Sequence, residues 1–100
     1  MVKFGIHLPQ IGVDYVTVKN VALTCERVGF HTIWATDHFL PIEGSAQESY
    51  LECWTTLSAL AEATSTVRIG AMVLCNLFRH PPILAKMAAS LDVVSEGRFD

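Results

Sequence analysis

The most constraining feature of this chain is the regular alternation of short apolar runs with longer stripes in which apolar residues recur every three or four positions. The runs occupy residues 2–8, 30–37 and 67–74, and a stripe with helical spacing follows each of them. A helix between two strands favours parallel pairing, because a parallel connection needs a long crossover. The sequence therefore predicts an α/β fold with parallel strands in the order βαβαβα.

Local signals mark the ends of the first two predicted helices. Asp14 is placed to cap the start of the first helix, and Gly29 is placed to end it. Ser49 and Glu52 have the spacing of a capping box. We therefore expect the second helix to begin after Ser49 and to run to about Thr64.

The third helix and the last residues complete the predicted pattern. Pro81 and Pro82 predict a sharp helix start, and Gly97 predicts its end. Residues 98–100 resemble the beginning of a fourth strand. Residues 1–100 then form one unit without an internal boundary. Because such a sheet has unpaired edges, we expect either a part of a longer barrel or a homo-oligomer joined through sheet edges or helices.

Composition excludes several classes of partner. Apolar residues make up 51% of the chain and charged residues 17%, which is typical of a globular domain. The net charge is −3 and no basic run occurs, so we expect neither nucleic acid nor a membrane surface as a partner. The three cysteines form no CxxC pair, and no apolar segment approaches the roughly 18 residues of a membrane helix. These features predict a cytoplasmic protein whose partners are small molecules or other proteins.

A polar pair, Asp37 and His38, directly follows the second apolar run. In parallel α/β folds the carboxyl ends of the strands face the ligand crevice. We therefore expect both side chains to point into that crevice, while Ile33 and Ala35 pack in the interior. The alternative is a loop acid beside a capping or solvated histidine.

Three further polar residues, His7, Arg79 and His80, each allow a functional and a structural interpretation. His7, near the end of the first strand, is placed either in the same crevice, as a substrate-binding residue, or in packing contacts. No strand carries an HxH pair, so we predict no metal site. Arg79 and His80 are expected to form a solvated or capping pair, with anion binding at the helix start as the alternative. Trp54 is expected to be a core residue.

Four passages together resemble one known family. They read FGIHLPQ, CERVGFHTIWATDHF, VRIGAMVLCNLFRHPPILAKMAASLD and SEGRFD, and they follow in the family's order and spacing. The chain resembles the luciferase-like monooxygenase superfamily, most closely its branch of oxidoreductases that use the deazaflavin coenzyme F420. Family members are TIM (β/α)8 barrels of about three hundred residues. The resemblance therefore implies a partial barrel, made of the first three βα units and the start of strand four.

The resemblance also implies roles for individual residues. Asp37 is expected to help hold the flavin or deazaflavin, and His38 to act as the catalytic acid or base. The family commonly has a non-prolyl cis peptide after strand three, which falls here between Met72 and Val73 and backs the tricyclic ring. Ile42 stands where the sugar-phosphate dehydrogenases of this branch carry an aromatic residue, which is a departure from their pattern.

The resemblance thus implies an oxidoreductase that transfers hydride between coenzyme F420 and an organic substrate. Hydride chemistry itself belongs to the cofactor. We expect the 100-residue segment to be inactive alone. One alternative is an FMN-dependent flavin monooxygenase, which oxygen consumption with reduced FMN would distinguish. The other is a truncated, non-catalytic barrel fragment that self-associates.

Overall fold

The computed structural model describes all 100 residues and contains three strands and three helices in the predicted alternation. The elements are β1 (Gly5–His7), α1 (Tyr15–Val28), β2 (Thr32–Ala35), α2 (Cys53–Ala63), β3 (Arg68–Ala71) and α3 (Pro81–Val94). The strands form one parallel sheet in the order β1-β2-β3. Each strand covers only the middle of its apolar run, because the remaining residues leave the ladder to enter the loops. None of the helices is long and apolar enough to cross a membrane.

The chain's last residues begin a fourth strand, as predicted. The Ile69 amide donates to the Arg98 carbonyl at 2.9 Å, and the Asp100 amide donates to the Ile69 carbonyl at 2.9 Å. A parallel bridge joins Ile69 to Phe99. The new strand therefore lies alongside β3, on the side away from β2.

The helix ends follow the predicted signals in part. The Asp14 carboxylate accepts the Thr17 amide at 2.8 Å at the start of α1. Gly29 ends this helix with a φ of 87°, in the left-handed region that favours glycine. The third helix begins at Pro81 as predicted, but it ends at Val94, and Gly97 lies in the turn that follows.

The predicted capping box of α2 is wrong. The helix begins at Cys53, and Glu52 is its N-cap, accepting the amides of Trp54 at 3.0 Å and Thr55 at 2.7 Å. Ser49 lies in the preceding loop, where its carbonyl accepts the Gly12 amide at 2.8 Å. Glutamate is an unusual cap residue, and the serine–glutamate spacing therefore suggested the wrong boundary.

The two faces of the sheet have different neighbours. Ile33, Ala35 and Ile69 are fully buried in the core that the helices cover, together with Leu57 and Leu60 of α2. Successive side chains of a strand point to opposite faces. The other face of the sheet therefore carries the residues that alternate with these, including Trp34 of β2.

Trp34 lies across its neighbouring strands on this second face. A Cβ atom built on Gly70 would come within 2.4 Å of Trp34 Cζ3, and one built on Gly5 within 2.5 Å of Trp34 Nε1. Both glycines are therefore required by the indole ring. Trp34 is half-buried, whereas Trp54 is 8% exposed and is a core residue as predicted.

The substitution Gly70→Ala is expected to lower the free energy of unfolding by about 1–3 kcal/mol, because the added methyl group overlaps the indole ring. Urea denaturation measures the loss. Repeating the substitution in a Trp34→Leu background is the matched control, and there the loss should be much smaller. An equal loss in both backgrounds would show that the ring is not the cause.

Polar contacts stabilise the edge of the sheet that is formed by the amino-terminal ends of the strands. Glu26 Oε2 accepts the three amides of residues 65–67 at 2.6 to 3.0 Å. The Arg98 guanidinium donates to the carbonyls of Ala61, Thr64 and Val67 at 2.7 to 3.0 Å. These contacts fasten the loop between α2 and β3. The opposite side, where the strands end, carries the cavity described next.

Candidate functional site

A cavity of about 420 Å³ lies at the carboxyl ends of β1 and β2. Its lining is mixed, with apolar residues, two histidines and other polar side chains. The lining residues are His7, Leu8, Pro9, Gln10, Ile11, Thr36, His38, Ile42, Glu43 and Tyr50. The structure thus brings the two histidines singled out in the sequence, one from each strand end, to the same cavity.

The expectation that Asp37 and His38 both point into the crevice is wrong for Asp37. Thr36 and His38 line the cavity, whereas Asp37 is 1% exposed and is not part of the lining. The two-residue alternation of β2 continues past the strand's end, so Asp37 shares the helix-covered side with Ala35. Neighbours in the sequence are therefore separated onto opposite sides of the sheet.

Asp37 is held in a buried ion cluster. Its Oδ2 accepts the Cys75 amide at 2.9 Å and Arg79 Nη1 at 2.7 Å, and its Oδ1 accepts Arg79 Nη2 at 3.0 Å. Arg79 Nη2 also contacts Glu52 Oε1 at 2.6 Å. The guanidinium lies 5.5 Å from the ring centroid of Trp54. Asp37 thus joins the end of β2 to the loop after β3 and to the start of α2.

Arg79 was predicted to be solvated or to cap a helix, and this prediction is wrong. Its side chain is 11% exposed, and two carboxylates of the chain itself match its charge. Its partners stand 42 and 27 positions away in the sequence, so no local pattern marks them. The His80 side chain makes no capping hydrogen bond at the start of α3.

The cluster is fully charged at neutral pH. Burial alone would raise the pKa of Asp37, but hydrogen bonds from Arg79 and from the Cys75 amide outweigh it and lower that pKa. Burial likewise opposes the ionisation of Glu52, and the amides of Thr55 and Trp54 together with Arg79 lower its pKa. The cluster therefore holds structure together and does not exchange protons.

Cys53, beside this cluster, is chemically quiet. Burial chiefly, with the nearby charges of Asp37 and Glu52, raises the pKa of its thiol to about 12. The thiolate is the nucleophilic form of cysteine. Cys53 therefore stays protonated and acts as a small packing residue.

Gln10 organises the wall of the cavity and was not identified from the sequence. It is 3% exposed, its Oε1 accepts the Thr36 amide at 2.6 Å, and its Nε2 donates to the carbonyls of Thr36 at 2.9 Å and Leu51 at 3.0 Å. His7 Nε2 and Tyr50 Oη hydrogen-bond the Thr36 hydroxyl and carbonyl, respectively. Thr36 is thus the point at which the end of β1, the loop after β1 and the loop after β2 meet. The partners of Gln10 stand 26 and 41 positions away in the sequence, so no local pattern marked this residue.

His38 is the second histidine that lines the cavity. Its ring meets that of Tyr50 edge-on, with 6.4 Å between the centroids and 65° between the planes. The side chain is half-buried, so one part of the ring packs and another faces the cavity. This is the arrangement that a residue exchanging a proton with a bound molecule needs.

The peptide bond between Met72 and Val73 is cis, as predicted. The Met72 amide donates to the Ala35 carbonyl at 2.8 Å, so this segment leaves the sheet directly beside the end of β2. The side chains of Met72 and Val73 are 52% and 74% exposed, respectively. They present apolar surface at the same edge of the sheet as the cavity, although they are not part of its lining. No group of three or more histidine, cysteine, aspartate or glutamate side chains is arranged to hold a metal ion.

Comparisons with known proteins agree on one family. Residues 2–100 match the family model described as luciferase-like monooxygenase. The chain is 35% identical over 78 residues to the F420-dependent hydroxymycolic acid dehydrogenase of Mycobacterium tuberculosis, a match that covers 77% of this chain and 21% of that protein. It is 29% identical over 93 residues to pyrimidine monooxygenase RutA of Rhizobium rhizogenes, covering 91% of this chain and 25% of that protein.

A solved structure shows the same fold. An F420-dependent secondary alcohol dehydrogenase, in complex with an F420-acetone adduct, superposes with a TM-score of 0.86 and 26% identity. The match covers 97% of this chain and 29% of that one. The chain therefore spans less than a third of the length of these relatives, and its parallel βα units correspond to part of their barrel. The predicted fold class, a partial (β/α)8 barrel, is confirmed.

Proposed function

Because this chain belongs to the luciferase-like monooxygenase family, we propose that it supplies the first βα units of an oxidoreductase that transfers hydride between coenzyme F420 and a small organic substrate. One observation carries the proposal. Two histidines from neighbouring strand ends line one cavity, beside an exposed apolar segment that is suited to an aromatic ring. Relatives that are named as F420-dependent dehydrogenases support the choice of cofactor.

His38 is proposed as the catalytic acid or base. When an alcohol is oxidised to a carbonyl compound, its carbon loses hydride and its hydroxyl group loses a proton. The deazaflavin supplies the hydride acceptor when it is bound. The imidazole of His38 accepts the hydroxyl proton, and in the reverse direction returns it to the carbonyl oxygen. The contact with Tyr50 steadies the ring for this transfer.

His7 is proposed to bind the substrate. Its hydrogen bond to the hydroxyl of Thr36, which lies two positions before His38 in the same loop, fixes the imidazole at the cavity. Gln10 in turn holds the Thr36 backbone on both its amide and its carbonyl. A substrate hydroxyl between the two histidines would therefore meet groups that are already oriented, which reduces the entropy lost on binding.

Met72 and Val73 are proposed to contact the cofactor, and Asp37 is proposed to contribute to cofactor binding indirectly, through the backbone. The exposed side chains of Met72 and Val73 offer an apolar surface to one face of a flat ring. The carboxylate of Asp37 is buried, and we propose that it serves the ring site through the Cys75 amide, two residues beyond Val73.

A titration of the chain with coenzyme F420, followed by absorbance or fluorescence, tests the proposal. We expect saturable binding in the millimolar range or tighter. Met72→Asp, which places a charge under the proposed ring, should weaken binding by at least about tenfold. Val16→Asp, at an exposed valine near the start of α1, is the matched control and should leave binding unchanged. Absence of binding by the unaltered chain would contradict the proposal.

A flavin monooxygenase is the second candidate, and it is supported by a relative named flavin-dependent trigonelline monooxygenase, oxygenase component, of Acinetobacter baylyi, which is 35% identical over 75 residues. Both candidates use the same cavity, but a deazaflavin reacts poorly with dioxygen whereas reduced FMN reacts readily. Preferential binding of FMN, together with oxygen consumption by reduced FMN in the presence of the protein, would establish this second function. Assembly into a homo-oligomer stays a prediction, which a size measurement at two concentrations tests.

A further inference from the structure

We propose that Arg79 is a positioning residue which, through Asp37, fixes His38 at the cavity and couples it to the Met72–Val73 segment. The proposal rests on the proposed function, because it assigns a role toward the residue that handles the proton and the segment that backs the ring. Its physical basis is a pair of contacts that join the loop after β2 to the loop after β3.

His38 lies between two anchored neighbours. On one side, Asp37 is bound by Arg79. On the other side, Phe39 stacks on Phe78, with 4.0 Å between the ring centroids and 18° between the planes. Both anchors belong to the loop that follows β3. The backbone of His38 is therefore held one residue away in each direction, while its own side chain faces the cavity.

The two anchors differ in strength and in direction. The Asp37–Arg79 contact is a buried bidentate ion pair, in which two guanidinium nitrogens donate to two carboxylate oxygens. Paired hydrogen bonds of this kind fix an orientation as well as a distance. The Phe39–Phe78 stack is solvent-exposed and constrains mainly the separation of the loops. The ion pair therefore sets the position of His38, and the stack supports it.

The same cluster reaches the ring-backing segment. Asp37 Oδ2, which binds Arg79, also accepts the Cys75 amide. Cys75 lies two residues after Val73. The Asp37 carboxylate therefore ties the residue before His38 to the backbone after Val73. Hydride and proton transfer need the His38 imidazole and the ring-backing segment to be correctly placed at the same time. A misplacement of about 1 Å costs about 10²-fold in rate. The cluster therefore fixes the position of His38 relative to the Met72–Val73 segment.

Three variants test this role without any cofactor. Arg79→Met removes both the charge and the bidentate pairing, whereas Arg79→Lys keeps the charge and removes the bidentate pairing. Arg27→Met is the matched control, because it removes the charge of an exposed arginine at the end of α1. Nuclear magnetic resonance follows the His38 ring signals and the hydrogen exchange of the Cys75 amide. Arg79→Met should shift the ring signals and speed the exchange by at least about tenfold.

Arg79→Lys should give smaller changes in the same direction, since the bidentate geometry is lost but the charge remains. Arg27→Met should give none. His38 ring signals that coincide in Arg79→Met and the unaltered chain would overturn the proposal, and so would equal shifts in Arg27→Met. If Arg79→Met does not fold, Arg79→Lys and Phe78→Leu decide. Phe78→Leu should shift the His38 signals while the Cys75 amide stays protected, and unmoved signals in both variants would overturn the proposal.

Binding of coenzyme F420 gives a second readout. Arg79→Met should weaken binding by about tenfold, because the segment that receives the ring loses its tie to β2. Failure of the unaltered chain to bind the coenzyme would contradict the proposed function alone, since the His38 and Cys75 signals are measured without it. Unaltered binding in Arg79→Met, with unmoved His38 signals, would overturn the positioning role alone.

Discussion

Replacing His38 by alanine is expected to lower turnover with coenzyme F420 by about 10²- to 10⁴-fold, measured in a complete barrel that contains this segment. The imidazole is the only proposed proton acceptor at the cavity, and alanine leaves the substrate hydroxyl without one. Binding of the coenzyme should change little, because the ring is proposed to rest on Met72 and Val73. Steady-state kinetics and a binding titration, carried out together, separate the two effects.

His31→Ala is the matched control for this experiment. His31 precedes β2, at the end of the sheet opposite the cavity, and its side chain hydrogen-bonds Thr32 at 2.8 Å. Its removal should leave turnover unchanged. If His38→Ala and His31→Ala behaved alike, with turnover preserved, His38 would be a structural residue and the proton would be handled elsewhere.

Replacing Asp37 by alanine should lower the free energy of unfolding by about 3–5 kcal/mol at neutral pH, since one partner of a buried ion pair is removed and the other stays charged. Arg79 would retain Glu52, but the Cys75 amide and one side of the guanidinium would lose their acceptor. Urea denaturation measures the change. Glu62→Ala, at an exposed carboxylate of α2, is the control and should fall within about 0.5 kcal/mol of the unaltered chain.

The pH dependence of this difference follows from the lowered pKa of Asp37. A carboxylate with a depressed pKa in the folded state stabilises fully above its unfolded pKa, which is about 4 for aspartate. That contribution disappears as the pH falls through the folded pKa. The stability difference between the unaltered chain and Asp37→Ala should therefore shrink below about pH 4. A difference that stayed constant down to pH 3 would show that the ion pair is not its source.

Much of the fold followed from local patterns in the sequence. The alternation of strand-like runs and helical stripes is local, and so are the cap at Asp14, the glycine end at Gly29 and the proline start at Pro81. Each of these signals was confirmed. Two signals failed. At α2, a plausible serine–glutamate spacing competed with a glutamate that caps the helix by itself, and at α3 the helix ends at Val94, before the predicted end at Gly97.

The candidate site was harder to predict, because its contacts join residues far apart in the chain. Gln10 meets Thr36 across 26 positions, and Asp37 meets Arg79 across 42. Neither contact has a local signal. The side on which Asp37 lies was nevertheless predictable. Once Ile33 and Ala35 are assigned to the helix-covered face, the alternation of β2 places Asp37 with them and His38 opposite. The cis peptide after Met72 came from the family resemblance and from no rule of local sequence.

The cavity lined by His7 and His38, together with Met72–Val73, is proposed to receive the deazaflavin and its substrate. The most direct test is a titration of the chain with coenzyme F420, followed residue by residue by nuclear magnetic resonance. We predict that signals of His38, Met72 and Val73 shift together and saturate at one dissociation constant, while those of His31 and Arg98 stay in place. Shifts confined to His31 and Arg98, or the absence of any saturable shift, would contradict it.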